Sequence, residues 1–297
     1  GYVKNKVMEF MGPGIAGLSM DFRNGIDVMT TETTCLTTIW STDTTVKDYL
    51  ELHRRPEAYR EMKPGDLAYY DGAVVVDLDK VESMIAMPFH PSHVYTIKEL
   101  NEGGRDLLEE IEKQAVDMLD NKELSLGLAD KYYDGKMHCD QGLIAGCSGG
   151  LYENLVAAAH ILKGKSIGNE RFAFSVYPSS HPIYMELMRN GALADLMDAG
   201  AVVRSAFCGP CFGAGDTPNN KGFSVRHTTR NFPNREGSKP GKGQIASVAL
   251  MDARSVAATA ANHGALTPAT EVEYDDSVPA YHYDSLPYDH KVFDGIG

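Results

Sequence analysis

The clearest pattern along the chain is helical. Val46, Tyr49, Leu50 and His53 recur at three- and four-residue steps and predict a helix over 44–54. Leu107, Leu108, Ile111, Ala115 and Met118 do the same over 106–119, and Leu151, Leu155, Ala158, Ala159 and Leu162 over 151–162. Ser179 or Ser180 caps a fourth helix, with Pro182 in its first turn and Gly191 beyond its end. Leu193 to Asp198 predicts a fifth, and the alanine-rich run from Asp252 to His263, closed by Gly264, a sixth. Short apolar runs lie between them. Residues 73–78, 142–146, 172–176, 201–203 and 223–225 read as buried strands. From about residue 95 strands alternate with helices, which implies an α/β fold with a mostly parallel sheet covered on both faces. Ligands of such sheets sit at the carboxyl ends of the strands.

The first ninety residues are less regular. Met11-Gly12-Pro13-Gly14 is a turn cluster, and Met29 to Trp40 is rich in threonine without a clean period. Pro88 and Pro91 mark a boundary, so the expected domains are 1–87 and 88–275. The tail from Glu271 carries Asp, Tyr and Pro without period and reads as a linker or an extended crossing segment, with 276–297 assigned as linker. No internal repeat is evident.

Composition narrows the function. The chain has 297 residues, 41 acidic against 28 basic, and a net charge of −13. Such a chain, with no basic tract, is a poor partner for nucleic acid or an anionic membrane. No apolar run approaches the ~20 residues of a membrane span. No charged-then-apolar leader opens it, so a cytoplasmic protein is expected. No G-x-G-x-x-G or Walker pattern suggests a nucleotide site.

Five cysteines are too few for a disulfide scaffold of this length. Cys35 and Cys139 read as structural. Cys208-Gly209-Pro210-Cys211 is the sharpest local signal: two thiols on a turn suit one metal or a redox disulfide. The motif follows a strand late in the chain and precedes a glycine-rich loop, which does not match a redox dithiol opening a long helix. Cys147 also follows a strand, beside Gly146, Gly149 and Gly150. Two cysteine loops at strand ends of one sheet can meet at one point. Three thiolates suit zinc with one further ligand or an iron–sulfur cluster with one iron open, whereas Cys147 alone would read as a small core residue.

The segment Ile144-Ala145-Gly146-Cys147-Ser148-Gly149-Gly150-Leu151-Tyr152-Glu153-Asn154 resembles the aconitase-family stretch that carries the first cluster cysteine. Cys208-Gly209-Pro210-Cys211-Phe212-Gly213 resembles the stretch that carries the other two. Thr229-Arg230-Asn231-Phe232-Pro233-Asn234-Arg235 is similar to the family's Arg-Asn-Phe-x-x-Arg element. Met11 to Gly14, Met29 to Glu32 and Asp77 to Val94 follow the family order as well. The resemblance implies three-layer α/β/α domains around a [4Fe–4S] cluster held by Cys147, Cys208 and Cys211. It implies reversible loss and addition of water on a hydroxy di- or tricarboxylic acid. Arg230 and Arg235 would clamp substrate carboxylates with guanidinium forks. Ser148 and Thr229 would line the substrate site, and Glu32 would stand near the departing hydroxyl or water.

The chain departs from that pattern in places. Ser148-Gly149-Gly150 stands where the family has Thr-Asn-Ser, and Val28 and Thr229 stand where it has asparagines. The family's amino-terminal domain with its Asp–His pair, and its swivel domain with a serine base and a further arginine, have no counterpart here. His90 and His93 read as boundary-loop residues rather than replacements. The expectation is the central part of a hydro-lyase, inactive alone. The alternatives are a cluster-free carboxylate-binding or scaffold module of the same fold, and a zinc site on the same thiols.

Overall fold

The computed structural model describes residues 1–169, 171–235 and 244–290. They form two compact units, Gly1–Glu82 and Ser83–Gly297. The break falls after Glu82 rather than after Met87, because residues 84–86 pair into the sheet of the second unit. Among the described residues no helix is long and apolar enough to cross a membrane.

In the first unit β1 (Val7–Phe10) pairs in parallel with β2 (Thr37–Trp40), and α1 (Met20–Thr30) crosses between them. Ser19 caps α1 through the Phe22 amide. The sequence pattern missed this helix, because Asn24 and Gly25 interrupt its apolar period. It also missed β2, whose threonines hid a β-branched strand. α2 (Thr44–Leu52) matches the expected helix, with Asp43 as its cap. Residues 73–78, expected to be a buried strand, are a correction. They are solvent-facing without a strand partner, with Val75 92% exposed, and Leu78 opens a 3-10 turn. A β-branched run predicts extended backbone, but only pairing and cover make it a core strand.

The only buried side chains of this unit are those of Arg23 and Thr30. Arg23 donates two hydrogen bonds to the Asp43 carboxylate, at 3.0 and 2.7 Å, and others to Leu18 O and Ile15 O. One buried cation therefore joins the turn before α1 to the cap of α2. Phe10 stacks on Trp40 at 4.2 Å.

The second unit is built on a seven-stranded sheet. Its strands are β3 (Met84–Ala86), β4 (Val94–Thr96), β7 (Gln141–Ile144), β8 (Ala173–Val176), β9 (Val202–Val203), β10 (Phe223–His227) and β11 (Ser247–Met251); a small hairpin, β5 (Tyr132–Tyr133) and β6 (Lys136–Met137), stands apart. The order is β4-β3-β11-β10-β7-β8-β9. The five strands from β11 to β9 are parallel, while β3 and β4 join antiparallel at one edge. β11 has all five residues buried, and no sequence signal was read there.

The helices are α3 (Ile97–Met118), α4 (Gly146–Gly149), α5 (Tyr152–Leu162), α6 (His181–Arg189), α7 (Ala192–Asp198), α8 (Ala253–Ala261) and α9 (Leu286–Asp289). α3 starts earlier than the pattern suggested: Thr96 and Glu99 form a capping box, and Gly104 at φ +60° breaks the helix before the expected portion. α5 and α8 pack on the face carrying Ile144, Phe174, Val176, Phe223 and Val225, all within the main core. Alternation puts Gln141, Leu143, Ser175, Ser224 and Arg226 on the opposite face. Residues 276–290, expected as a linker, lie along α5 and α6. Tyr281 packs on Tyr152, His282 meets Glu186 at 2.9 Å and Asp284 meets Arg189 at 2.7 Å. The rest of that expected linker, 291–297, lies outside the described residues.

Removing Asp43 tests the tie in the first unit. Asp43→Ala leaves the Arg23 charge buried with carbonyl partners only, and should cost about 3 kcal/mol. Urea unfolding followed by fluorescence of Trp40, the single tryptophan, reads this unit directly. The hydrogen bond from Arg23 holds the Asp43 carboxyl below its ordinary value, with burial opposing it. That contribution is present above the ordinary aspartate value of ~3.9. It is lost as pH falls through the lowered folded-state value. The Asp43→Ala chain should therefore lack the part of the acid loss that the parent shows below about pH 4.

Candidate active site

β7 and β10 are neighbours whose onward connections leave in opposite directions. The chain proceeds from β7 to β8 on one side, and from β10 to β11 on the other. This is a topological switch point, where the loops leaving the two carboxyl ends diverge and open a crevice. Four of the sequence-predicted residues lie at these carboxyl ends. Cys147 and Ser148 are in α4, directly after β7, and Thr229 and Arg230 follow β10. The Ala145 amide donates to His227 O at 3.1 Å, fixing one loop to the other.

Cys208 and Cys211 arrive from the edge strand β9. Cys211 lies in the 3-10 turn Gly209–Phe212, and Cys208 caps it. All three thiols are free; Cys147 and Cys208 are exposed and Cys211 is buried. Burial pushes the Cys211 thiol up to about 12, with the charges of Cys208 and Cys147 and a hydrogen bond with Cys208 adding to it, while the Thr229 amide opposes. Burial also raises Cys147, as does Cys208, while the Cys147 and Ser148 amides and the Arg230 charge lower it. The three sulfurs, Arg230 and the Thr229 amide thus share one electrostatic neighbourhood. Among the described residues, no group of three or more His, Cys, Asp or Glu is disposed to hold a metal ion.

Glycines make this convergence possible. Gly146 has φ +78°, and a Cβ there would stand 2.8 Å from Cys211 Sγ. A Cβ on Gly149 would stand 2.0 Å from His227 O, and one on Gly150 2.2 Å from Tyr177 O. The Ser148-Gly149-Gly150 departure therefore has a steric cause: the ends of β10 and β8 close onto α4 and leave no room for larger side chains. Four buried polar atoms nearby in the chain have no partner: Ser148 Oγ, His227 Nδ1, Thr228 Oγ1 and Asn231 Oδ1. Burial drives His227 down to about 4, so its ring is neutral at pH 7.

Asn231 and Arg226 were not assigned these tasks from sequence. Asn231 Nδ2 donates to Ala86 O and Met87 O, at 3.1 and 2.8 Å, and holds the loop after β10 against β3. His90 stands edge-on to Phe232 in the same loop, while His93 bonds Pro88 O and Tyr95. Arg226 is 1% exposed and bonds Pro210 O, between the two loop cysteines, at 2.9 Å. A charged residue at an inward position of a short apolar strand was the signal available for it. Arg235 is half-buried in a turn, its amide donating to Phe232 O at 3.2 Å. Glu32 belongs to the first unit, half-buried in the 3-10 turn that ends α1.

Gly149→Ala should cost about 1–3 kcal/mol in overpacking, because the nearest obstacle is backbone rather than a flexible side chain. Gly135→Ala, at a position with open space but φ +76°, controls for backbone strain alone. Urea denaturation followed by circular dichroism compares the two.

The model of the aconitase family (aconitate hydratase) matches residues 1–258. The large subunit of 3-isopropylmalate dehydratase from Clostridium kluyveri is 29% identical over 250 residues, covering 84% of this chain and 51% of that protein. The large subunit of 2,3-dimethylmalate dehydratase from Eubacterium barkeri is also 29% identical, with the same coverage. A second 3-isopropylmalate dehydratase large subunit, from Rubrobacter xylanophilus, is 28% identical over 267 residues, covering 90% of this chain and 53% of that protein. The chain spans about half the length of these curated relatives. With a match that runs from the first residue into α8, the chain belongs to the aconitase family.

Proposed function

We propose that this chain is the central part of an aconitase-like hydro-lyase that adds and removes water on a hydroxy di- or tricarboxylic acid. The observation that supports the reading is that the loops of Cys147 and Cys211 come together at the switch point, where a Cβ on Gly146 would stand 2.8 Å from Cys211 Sγ, with Cys208, Cys147 and Arg230 close enough to act electrostatically on one another. Two relatives named for branched malates, isopropylmalate and 2,3-dimethylmalate, favour a dicarboxylate. Their designation as large subunits implies a smaller companion chain, and the Asp–His and swivel domains of the family would complete the site.

The donor set fits a thiolate-held [4Fe–4S] cluster. Three thiols come from two loops, the missing Cβ at Gly146 leaves room beside Cys211 Sγ, and Ser148 Oγ and Thr228 Oγ1 lack partners. Bound there, the cluster would supply an open iron as Lewis acid for the substrate hydroxyl. The rest of the work belongs to the chain. Arg230 and Arg235 would take substrate carboxylates bidentately, against the −13 charge of the whole molecule. Arg230, whose charge acts on Cys147, would orient the carboxylate next to the reacting carbon. The Thr229 amide would steady Cys211, and Ser148 Oγ would donate to substrate. Glu32 would hold or move the proton at the departing oxygen, as the family resemblance implies.

One observation favours the cluster-free carboxylate-binding or scaffold reading: the described residues hold no ready metal group. The same observation counts against zinc, because bonds of ~2.3 Å to one ion would gather all three sulfurs tightly.

Anaerobic reconstitution with iron and sulfide separates these readings. Broad visible absorption should appear in the parent chain and be lost in Cys147→Ser. No absorption, or equal absorption in the variant, would refute the proposal. Iron uptake should leave zinc unable to compete at equal concentration, as read by metal analysis.

A further inference from the structure

We propose that Arg226 is a positioning residue: its buried guanidinium sets the Cys208–Cys211 loop in its thiol-gathering form before any metal or cluster arrives. Its bearing on catalysis rests on the function proposed above; its effect on the loop does not.

Arg226 lies within β10, on the face opposite the main core, and is 1% exposed. Burying a guanidinium costs free energy that hydrogen bonds must offset. Four of its bonds go to neutral oxygens. Nε donates to Ser224 Oγ at 2.9 Å, and one Nη donates to Gln141 Oε1 at 3.0 Å and to Asp216 O at 2.8 Å. The other Nη donates to Pro210 O at 2.9 Å. Two of the four acceptors, Pro210 O and Asp216 O, belong to the cysteine loop and lie on either side of Cys211 in sequence. A rigid fork reaches both carbonyls at once, whereas a lysine ammonium offers one point.

The attachment is reinforced from two further strands. Gln141 Nε2, from β7, also donates to Asp216 O, at 3.0 Å. The Asp216 carboxylate accepts from Ser175 Oγ of β8 at 2.9 Å and from Tyr177 OH. The loop leaves the edge strand β9, two strands away from β7. These bonds draw it back across the sheet to the point where Cys147 stands. An aliphatic residue at 226 would fill the same space on this face but would leave Pro210 O without its donor and Asp216 O with Gln141 Nε2 alone.

The chain itself supplies the control. Cys211 and Cys139 are each 5% exposed, but Cys139 bonds Gly264 O, away from this loop. The metal-free, reduced full chain is treated with iodoacetamide, and the rate at each cysteine is read by mass spectrometry. In the parent, Cys211 and Cys139 should both be slow. In Arg226→Gln, Cys211 should react roughly tenfold faster, as for a locally opened segment, with Cys139 unchanged. Arg226→Lys should restore part of the protection. Unchanged Cys211 in Arg226→Gln overturns the inference. If Cys139 opens as well, the milder Arg226→Lys decides: Cys211 faster than in the parent with Cys139 unchanged supports the inference, and any other pattern overturns it. Reconstitution with iron and sulfide is the second arm. Absorption formed in the parent should bleach several-fold faster in Arg226→Gln under a chelator, and equal bleaching overturns the inference. Failure of the parent to take up iron refutes the proposed function and leaves the alkylation result standing.

Discussion

The adjacency of β7 and β10 is the constraint on which the site depends. Because the chain proceeds from these parallel strands to opposite sides, a crevice opens between their carboxyl ends. The gap must be filled by loops, and their composition then decides what chemistry is available. Here α4 brings Cys147 and Ser148 from one strand, and the segment after β10 brings Thr229 and Arg230 from the other. The backbone bond between Ala145 and His227 O fixes their relative height. The remaining two thiols come from an edge strand that does not border the gap, so they require a separate anchor.

That anchor explains why a cation lies buried in a strand. A sheet face that packs only on helices is best made of apolar residues, as the face carrying Ile144, Val176 and Val225 is. The opposite face meets loop backbone, whose carbonyls need donors. Arg226 and Gln141 supply them, while Ser224 bonds to both and Ser175 bonds the Asp216 carboxylate of the same loop. The glycines of α4 answer the same crowding from the other side. Once the ends of β8 and β10 close on the turn, a Cβ at 149 or 150 meets a backbone oxygen. The polar residues that the family has at these positions have no space here, and this chain's remaining donors are Ser148, Thr228 and backbone amides.

Much of this was legible in the sequence, and the limits have physical causes. The parallel strands 142–146, 172–176, 201–203 and 223–225 and the helices between them follow from apolar period, because the second unit buries them deeply. β11 escaped notice: an apolar run beside an alanine-rich helix reads as its extension by period alone. The valines at 74–76 failed in the opposite direction, since pairing is a property of neighbours and not of the run. The three cysteines were legible from spacing and from their place after strands. Arg226 was not, because its task lies in bonds to residues 10, 16 and 85 positions away.

The two units differ in what holds them, and this bears on where substitutions act. In the second unit a continuous apolar core runs from Ile85 to Leu266, so loss of one side chain is shared among many neighbours. In the first, the buried side chains are one arginine and one threonine, and Arg23 joins two carbonyls and a carboxylate from three chain positions. Such an arrangement has little redundancy. The Asp43 carboxylate also caps α2, so its removal loses a helix terminus and the counter-charge together. Glu32 ends α1, which begins at the same anchor, so the geometry of this candidate acid–base residue depends on an ion pair rather than on a core. A polar tie is sensitive to pH and salt where an apolar core is not. The first unit should therefore lose order under acid before the cysteine site of the second does.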